Sequence, residues 1–277
     1  MTHRIFLLRA MKIIPVPVRQ DNYAYLLIDE TSKKAAAVDP FDVDKVVAAA
    51  ENLALGVELV AGITTHHHFD HSGGNKVSRF PGVPIYGGSD KIPALTNLVK
   101  DQDEFTLGDI HVNFLQRNEP NSRCLATPCH TQDSICYHVT HAVNKGHPGG
   151  VFTGDTLFIA GCGRFFEGVG AEMDAALSYL GTLPSSTIVY NGHEYTDGNV
   201  AFAKTIEPEN KALAKLDELV KNNESTAGLT TIGEEKEWNV FMRLSNATVR
   251  RSVEVSADAS ASVVMDALRE RKNSFRG

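Results

Sequence analysis

Short apolar runs separated by turn residues fill the first two thirds of the chain. Their length and alternation predict eight strands, at residues 14–18, 23–28, 35–38, 59–64, 110–114, 134–139, 151–153 and 187–190. Pro15 and Pro17 suit only an edge strand, because proline cannot donate to a sheet ladder. Helices are predicted after Asp42 as far as Ala50, and over 172–180. The alternation of the two element types indicates an α/β fold.

After Tyr195 the pattern becomes helical. Leu213, Leu216 and Val220 recur at the spacing of an amphipathic helix. Thr231 and Glu234 have the spacing of a capping box, and a last helix is predicted over 262–275. We therefore expect an α/β domain over 1–194 and a smaller all-helical domain over 195–277.

The composition narrows the class of partner. Among 277 residues the net charge is -7, so the chain lacks the broad basic face that nucleic acid or anionic membranes require. No apolar run approaches the ~20 residues that span a bilayer. We expect a monomeric cytoplasmic protein with a small-molecule substrate. The basic, acid-free segment 2–10 is a weak mitochondrial signal, which leaves the mitochondrion as the alternative location.

The four cysteines do not have zinc-knot spacing. Three of them fall close together, but none forms a Cys-x-x-Cys pair. They are expected to be reduced, buried thiols, and the positions are Cys124, Cys129, Cys136 and Cys162.

Three consecutive histidines follow the predicted strand 59–64, in the segment Thr-His-His-His-Phe-Asp-His at 65–71. Residues i and i+2 of an extended segment point the same way, so His66 and His68 can bind one ion while His67 points elsewhere. Asp70 and His71 lie in the next turn and can bind a second ion. An acid and a fourth histidine at these offsets argue against a tag or a solvated face.

Three later residues extend this pattern: His130, Asp155 and His193. Each alone would more often be structural. Their common placement at the carboxyl ends of predicted strands makes them candidate ligands, because α/β sheets bind ligands at that edge.

These residues resemble the signature and downstream ligands of the metallo-β-lactamase superfamily. More closely, residues from about 11 to 275 resemble the hydroxyacylglutathione hydrolase (glyoxalase II) family. The segments that carry this resemblance are Thr-Pro-Cys-His-Thr at 127–131, Phe-Thr-Gly-Asp-Thr-Leu-Phe at 152–158, Gly-Cys-Gly-Arg-Phe-Phe-Glu-Gly at 161–168, Gly-His-Glu-Tyr at 192–195 and Phe-Met-Arg at 241–243.

The resemblance implies an αβ/βα sandwich with two divalent metal ions. Zinc is favoured, with iron or manganese as alternatives. One ion would be held by His66, His68 and His130, the other by Asp70, His71 and His193, and Asp155 would bridge both. Seven ligands exceed one tetrahedral zinc, and the two oxygens of an aspartate can bridge ions ~3.5–4 Å apart.

The implied reaction is hydrolysis of the thioester S-D-lactoylglutathione to glutathione and D-lactate, the second step of methylglyoxal detoxification. A hydroxide bridging the two ions would be the nucleophile, and Asp70 and Asp155 are the predicted catalytic residues. The chain has no Gly-x-Ser-x-Gly elbow, which agrees with a mechanism that needs no serine.

By the same resemblance, five residues line the substrate site. Arg269 and Lys272 match the positions that hold the glycine carboxylate of glutathione, and they share a helix face. The others are Arg164, Phe166 and Tyr195. Without the resemblance, Arg269 and Lys272 would read as a solvated basic helix end, and the other three as loop charge and core aromatics.

The sequence departs from the family pattern in four places. Relatives often have Lys and Tyr at Arg164 and Phe166, so we expect weaker or differently oriented peptide binding here. Many relatives have Gly-His where this chain has Asp133 and Ser134. The loop 116–123 also looks longer than in compact relatives.

Three other functions are disfavoured. A glutathione-persulfide dioxygenase of the same fold uses one iron and fewer ligands, whereas this chain keeps the full set. A non-catalytic metal-binding protein predicts no turnover and little effect of Asp155→Asn. A nuclease would need a basic strip that the chain lacks.

Overall fold

The computed structural model describes residues 11–53, 56–76, 82–99, 103–114, 127–144, 146–256 and 258–276. The basic segment 2–10, the loop 116–123 and Cys124 lie outside these residues.

The described strands form two mixed sheets and a small hairpin. The first sheet has the order β1-β2-β3-β4-β5-β6, and the second has the order β13-β10-β9-β8-β7, while β11 and β12 pair with each other. The strands are β1 (Met11–Pro17), β2 (Tyr23–Asp29), β3 (Lys34–Val38), β4 (Glu58–Ile63), β5 (Ile85–Gly87), β6 (Asn97–Leu98), β7 (Glu104–Leu107), β8 (Ile110–Phe114), β9 (Tyr137–His141), β10 (Gly150–Gly154), β11 (Leu157–Phe158), β12 (Gly161–Cys162) and β13 (Ile188–Asn191).

Seven of the eight predicted strands lie close to where the sequence placed them, and β1 is an edge strand as its prolines required. The prediction for 134–139 was wrong at its start, since β9 begins at Tyr137. Ser134 belongs to a turn instead: its amide donates to Thr131 O, and its Oγ accepts from the Thr131 amide. A backbone closed into this turn cannot join the sheet ladder.

Helices cover the outer faces and the C-terminal third. They are α1 (Val43–Asn52), α2 (Phe69–Ser72), α3 (Gly170–Leu180), α4 (Thr196–Ile206), α5 (Lys211–Asn222), α6 (Ile232–Trp238), α7 (Ala247–Ser252) and α8 (Ala261–Ser274), with 3-10 turns at Gly73–Lys76 and Val240–Met242. Asp42 caps α1, and Thr231 and Glu234 form the predicted capping box of α6. None of the helices in the described part of the chain combines the length and apolarity needed to cross a membrane.

The two sheets pack face to face. Leu27 and Ile63 of the first sheet share one buried cluster with Val112 and Phe152 of the second. Alternate residues on each strand point to opposite faces, so each sheet has a second apolar face that needs its own cover.

Helices provide that cover on both sides. Val46 of α1 packs with Leu26 on the outer face of the first sheet. Val189 on the outer face of the second sheet shares a cluster with Met173 of α3, Phe202 of α4 and Leu268 of α8. The result is the four-layered αβ/βα sandwich that the family resemblance implied, with the C-terminal helices packed directly on one side of it.

Candidate metal centre and substrate cavity

The triple-histidine segment leaves the end of β4 and is held by the neighbouring strand. Asp39 at the end of β3 accepts hydrogen bonds from the Thr65 amide at 2.8 Å and from Thr65 Oγ1 at 2.7 Å. β3 and β4 are parallel, so their carboxyl ends lie at one edge. The contact fixes the direction in which His66 leaves the sheet.

The first group of candidate ligands is His66, His68 and His130, whose ligand atoms lie within 4.8 Å of one another. His68 Nδ1 and His130 Nε2 are 3.0 Å apart. His66 Nε2 is buried without a hydrogen-bond partner in the described structure. Burial lowers the pKa of His66 well below its usual value, and nearby histidines lower it further. Neutral imidazole is the form that binds metal.

The second group is Asp70, His71 and His193, again within 4.8 Å. His71 Nε2 and His193 Nε2 are 3.2 Å apart, and Asp70 Oδ2 lies 3.6 Å from His193 Nε2. Burial lowers the pKa of His71, but the carboxylates of Asp155 and Asp39 outweigh burial and raise it well above its usual value.

Asp155 lies between the two groups. Its Oδ1 is 3.3 Å from His71 Nε2, and its Oδ2 is 3.3 Å from both His130 Nε2 and His193 Nε2. Burial raises the pKa of Asp155, but His71 and His193 outweigh it and hold the pKa well below the usual range. An ionised carboxylate therefore faces imidazole nitrogens on both sides.

Two glycines allow this close approach. A Cβ on Gly192 would lie 2.5 Å from Asp155 Oδ1, and a Cβ on Gly154 would lie 2.5 Å from Thr65 Oγ1. Gly154 also has a φ of 47°, where side chains are strained. Each glycine directly precedes a candidate ligand, so no side chain keeps those ligands from the cluster.

His130 reaches the cluster by a route that the sequence did not predict. In the described residues it lies in the turn before β9, whereas Asp155 and His193 follow β10 and β13. β9 is antiparallel to β10, with Tyr137 opposite Phe152. Its amino end therefore lies at the same edge as the carboxyl end of β10.

The arrangement is suited to divalent metal ions. Two pairs of imidazole nitrogens, each about 3 Å apart, surround the Asp155 carboxylate, and the buried His66 Nε2 has no hydrogen-bond partner among the described residues. Such a set is stable when cations occupy the space between the donors. The described cysteines Cys129, Cys136 and Cys162 are free and buried, and none belongs to these groups.

A cavity of about 620 Å³ adjoins the cluster, and His130 and Asp155 form part of its wall. All five residues predicted to line a substrate site also line this cavity: Arg164, Phe166, Tyr195, Arg269 and Lys272. The structure thus brings the two predicted sets of residues together, although Arg269 and Lys272 lie far along the chain from every candidate ligand.

Helix α8 supplies two of the cations. Arg269 is buried and donates from Nη1 to Cys162 O at 2.9 Å, while its guanidinium lies over the ring of Phe241. Lys272 Nζ donates to Gly198 O at 2.7 Å. Burial and the neighbouring charge of Arg269 lower the pKa of Lys272 to about 8. These are not the flexible, solvated cations of an ordinary helix end.

Two of the aromatic residues that line the cavity, Phe166 and Tyr195, lie against candidate ligands. Tyr195 stacks on the ring of His193, with centroids 4.7 Å apart and planes 6° apart. The ring of Phe166 contacts His130 edge to face at 5.2 Å and is 61% exposed. Phe166 is therefore a surface residue at the cavity mouth rather than a core aromatic.

Comparison with known proteins shows which family this chain resembles. A family model described as the C-terminus of hydroxyacylglutathione hydrolase matches residues 194–275. A probable hydroxyacylglutathione hydrolase of Schizosaccharomyces pombe is 42% identical over 95% of this chain and 99% of its own length. A protein of Arabidopsis thaliana named hydroxyacylglutathione hydrolase cytoplasmic is 42% identical over 96% of this chain and 100% of its own length. This chain belongs to the hydroxyacylglutathione hydrolase family.

The fold of this family member also has a counterpart among solved structures. A metallo-β-lactamase from Staphylococcus aureus matches it with a TM-score of 0.60 and 20% identity, over 95% of this chain and 72% of that one. The predicted family and the predicted fold class are both confirmed.

The structure of this hydroxyacylglutathione hydrolase family member adds residues that sequence reasoning missed. Asp39 contacts His71 Nδ1 at 3.0 Å, and Asp21 contacts His193 Nδ1 at 3.0 Å. Asn22 donates to Asp70 Oδ2 at 2.9 Å. Such partners orient an imidazole and direct its other nitrogen inward. Asp39 had a usable signal, since it is an acid directly after a predicted strand.

Proposed function

We propose that this chain hydrolyses S-(2-hydroxyacyl)glutathione, and S-D-lactoylglutathione in particular, to glutathione and the 2-hydroxy acid. The observation that carries the proposal is the junction of two sites: a cluster of seven candidate metal ligands adjoins a cavity lined by cations, and its members His130 and Asp155 form part of the cavity wall. The names of the two relatives support the same activity. This reaction is the second step of methylglyoxal detoxification.

Two divalent ions, zinc by preference, are the proposed cofactors. His66, His68 and His130 would hold one, Asp70, His71 and His193 the other, and Asp155 would contact both. His66 Nε2, which is buried without a hydrogen-bond partner among the described residues, supports this assignment, because buried polar atoms without partners are rare. When bound, the ions would supply Lewis acidity and would lower the pKa of a water molecule that they bind.

The chain's own groups orient the reactants. Asn22 holds Asp70 Oδ2, and Asp155 is fixed among three imidazoles, so both proposed catalytic carboxylates are preorganised. Arg269 and Lys272 would bind the glycine carboxylate of the substrate. The leaving group is the thiolate of glutathione. Its thiol has a pKa of ~8.5, so departure of the thiolate requires no strong general acid.

We propose further that residues 195–277 act as the substrate-binding part of a monomer and residues 1–194 as its catalytic part. The placement of Arg269 and Lys272 on α8 supports this division. The cytoplasm is the proposed location, in keeping with the name of the Arabidopsis relative. The mitochondrion is the alternative.

The test is thiol release from S-D-lactoylglutathione by the metal-loaded enzyme. Asp155→Asn is expected to abolish turnover. The double variant Arg269→Ala/Lys272→Ala is expected to raise KM about 10-fold or more with a smaller change in kcat, because each lost charged hydrogen bond is worth ~1.5–3 kcal/mol. Lys211→Ala/Lys215→Ala, which removes two exposed cations of α5, is the matched control.

The possible outcomes separate the parts of the proposal. No thiol release by the loaded wild type would refute the hydrolase. An unchanged KM in the Arg269/Lys272 variant would remove glutathione recognition and leave the hydrolase standing. Consumption of oxygen with glutathione persulfide would identify the dioxygenase instead.

A further inference from the structure

The middle histidine of the triple has a specific partner outside both ligand groups. His67 Nδ1 lies 2.7 Å from Asp133 Oδ1. Asp133 is 5% exposed, so its carboxylate depends on hydrogen bonds for solvation. Thr131 Oγ1 donates to the same oxygen at 2.8 Å, and Ser89 Oγ donates to the other at 2.8 Å. Asp133 thus joins three separate loops.

Two of these loops carry the three-histidine group. His67 lies between the candidate ligands His66 and His68, and Asp133 follows the candidate ligand His130 by three residues. The loops are also joined on the other side of His66, where the Ile135 amide donates to Thr65 O at 2.8 Å. The segment that presents His66 and His68 is therefore tied to the His130 loop at both ends.

We infer that Asp133 is a positioning residue for the three-histidine site and acts on it through His67. This inference rests on the proposed metal centre and adds to it. Three imidazoles from two loops form a site only when the loops hold a fixed separation, and the His67–Asp133 bond holds it before metal arrives. Preorganisation of this kind reduces the ordering cost of binding.

Glycine offers no side-chain acceptor to His67, so Asp133→Gly removes the bond and is an informative substitution.

The experiment measures the affinity of each of the two ions by competition with a chelator, using zinc as the probe and the full chain. The ion whose affinity falls in His130→Ala is the one bound at the three-histidine site. Asp133→Gly and His67→Ala are each expected to lower the affinity for that ion about 10-fold, the lower end of the cost of losing a partner bonded directly to a ligand, because Asp133 acts through one more residue. The other ion should change little. Asp217→Ala, which breaks ion pairs with Lys204 and Lys221 on α4 and α5, is the matched control.

Further variants distinguish positioning from a general loss of stability. Asp133→Asn keeps an acceptor oxygen and should recover most of the affinity. The Asp133→Gly/His67→Ala double variant should cost no more than Asp133→Gly alone, because Asp133→Gly already removes the bond to His67. If Asp133→Gly does not fold, His67→Ala carries the test, since the His67 side chain is 22% exposed.

Three results would overturn the inference: unchanged zinc affinity, equal loss at both ions, or additive losses in the double variant. In each case a wild type that binds two ions and releases thiol would leave the proposed function intact. A wild type that binds no zinc would overturn the proposed metal centre and this inference together.

Discussion

Glu235 makes the stability of the substrate side of the molecule depend on pH. Its side chain is 0% exposed and accepts from Trp238 Nε1 at 2.9 Å, from the Ala160 amide at 2.9 Å and from Asn239 Nδ2 at 3.0 Å. Ala160 lies in the turn between β11 and β12, the hairpin that contributes Phe158 to the cavity wall. No cation pairs with this carboxyl among the described residues.

The magnitude follows from burial. Desolvation raises the pKa of Glu235 from 4.5 to about 7, against the opposing effect of its hydrogen bonds. Between these values the unfolded chain loses the proton and the folded chain keeps it, so the free energy of unfolding falls as pH rises. The free energy of unfolding falls by about 3 kcal/mol in total, because each pKa unit is worth ~1.4 kcal/mol. The fall is complete once the pH exceeds the pKa of Glu235 in the folded chain.

The assay is urea unfolding of the metal-free wild type and Glu235→Gln between about pH 4.5 and pH 8. Glutamine has the shape of the protonated side chain and does not titrate. Other titrating groups cancel in the difference between the two proteins. The free energy of unfolding of the wild type minus that of Glu235→Gln should fall by about 3 kcal/mol across this range. A difference that stays constant with pH would refute the reasoning.

Two further predictions concern an ion pair and a missing hydroxyl. Glu207 is 5% exposed and accepts hydrogen bonds from Arg243 Nε at 2.8 Å and Nη2 at 3.1 Å. Arg243→Ala should lower the free energy of unfolding by ~3–5 kcal/mol, because it leaves the buried carboxylate of Glu207 unpaired. Exposed Arg251→Ala is the control, and a loss of no more than about 1 kcal/mol in Arg243→Ala would contradict the prediction. Phe166→Tyr should lower KM for S-D-lactoylglutathione about 2- to 10-fold by adding a hydrogen bond worth ~0.5–1.5 kcal/mol, and an unchanged KM would rule that bond out.

Local patterns predicted most elements of the fold. Burial alternates or runs continuously along a strand, and it recurs with helical period along α5. The boundary of β9 was lost because its apolar pattern begins inside a turn closed by Thr131 and Ser134. Side-chain hydrogen bonds in turns leave little trace in hydrophobic periodicity.

The candidate ligands were predicted from residue type and offset, together with the family resemblance. Their partners were not. Asp21 contacts His193, which is 172 residues away in the sequence, and Asp133 contacts His67, which is 66 residues away. Neither acid lies in a motif with the residue it contacts, so only the packed structure identifies it.

Three features follow from the sequence alone: the set of groups with metal-binding chemistry, the strand ends that carry most of them, and the basic face of the last helix. What the tertiary structure decided is which groups meet. Strand order and direction bring His130 to the edge that holds Asp155, and the packing of α8 against the second sheet brings Arg269 beside them. Side-chain type and spacing are local properties, whereas proximity between distant residues depends on how sheets and helices bury their apolar faces together.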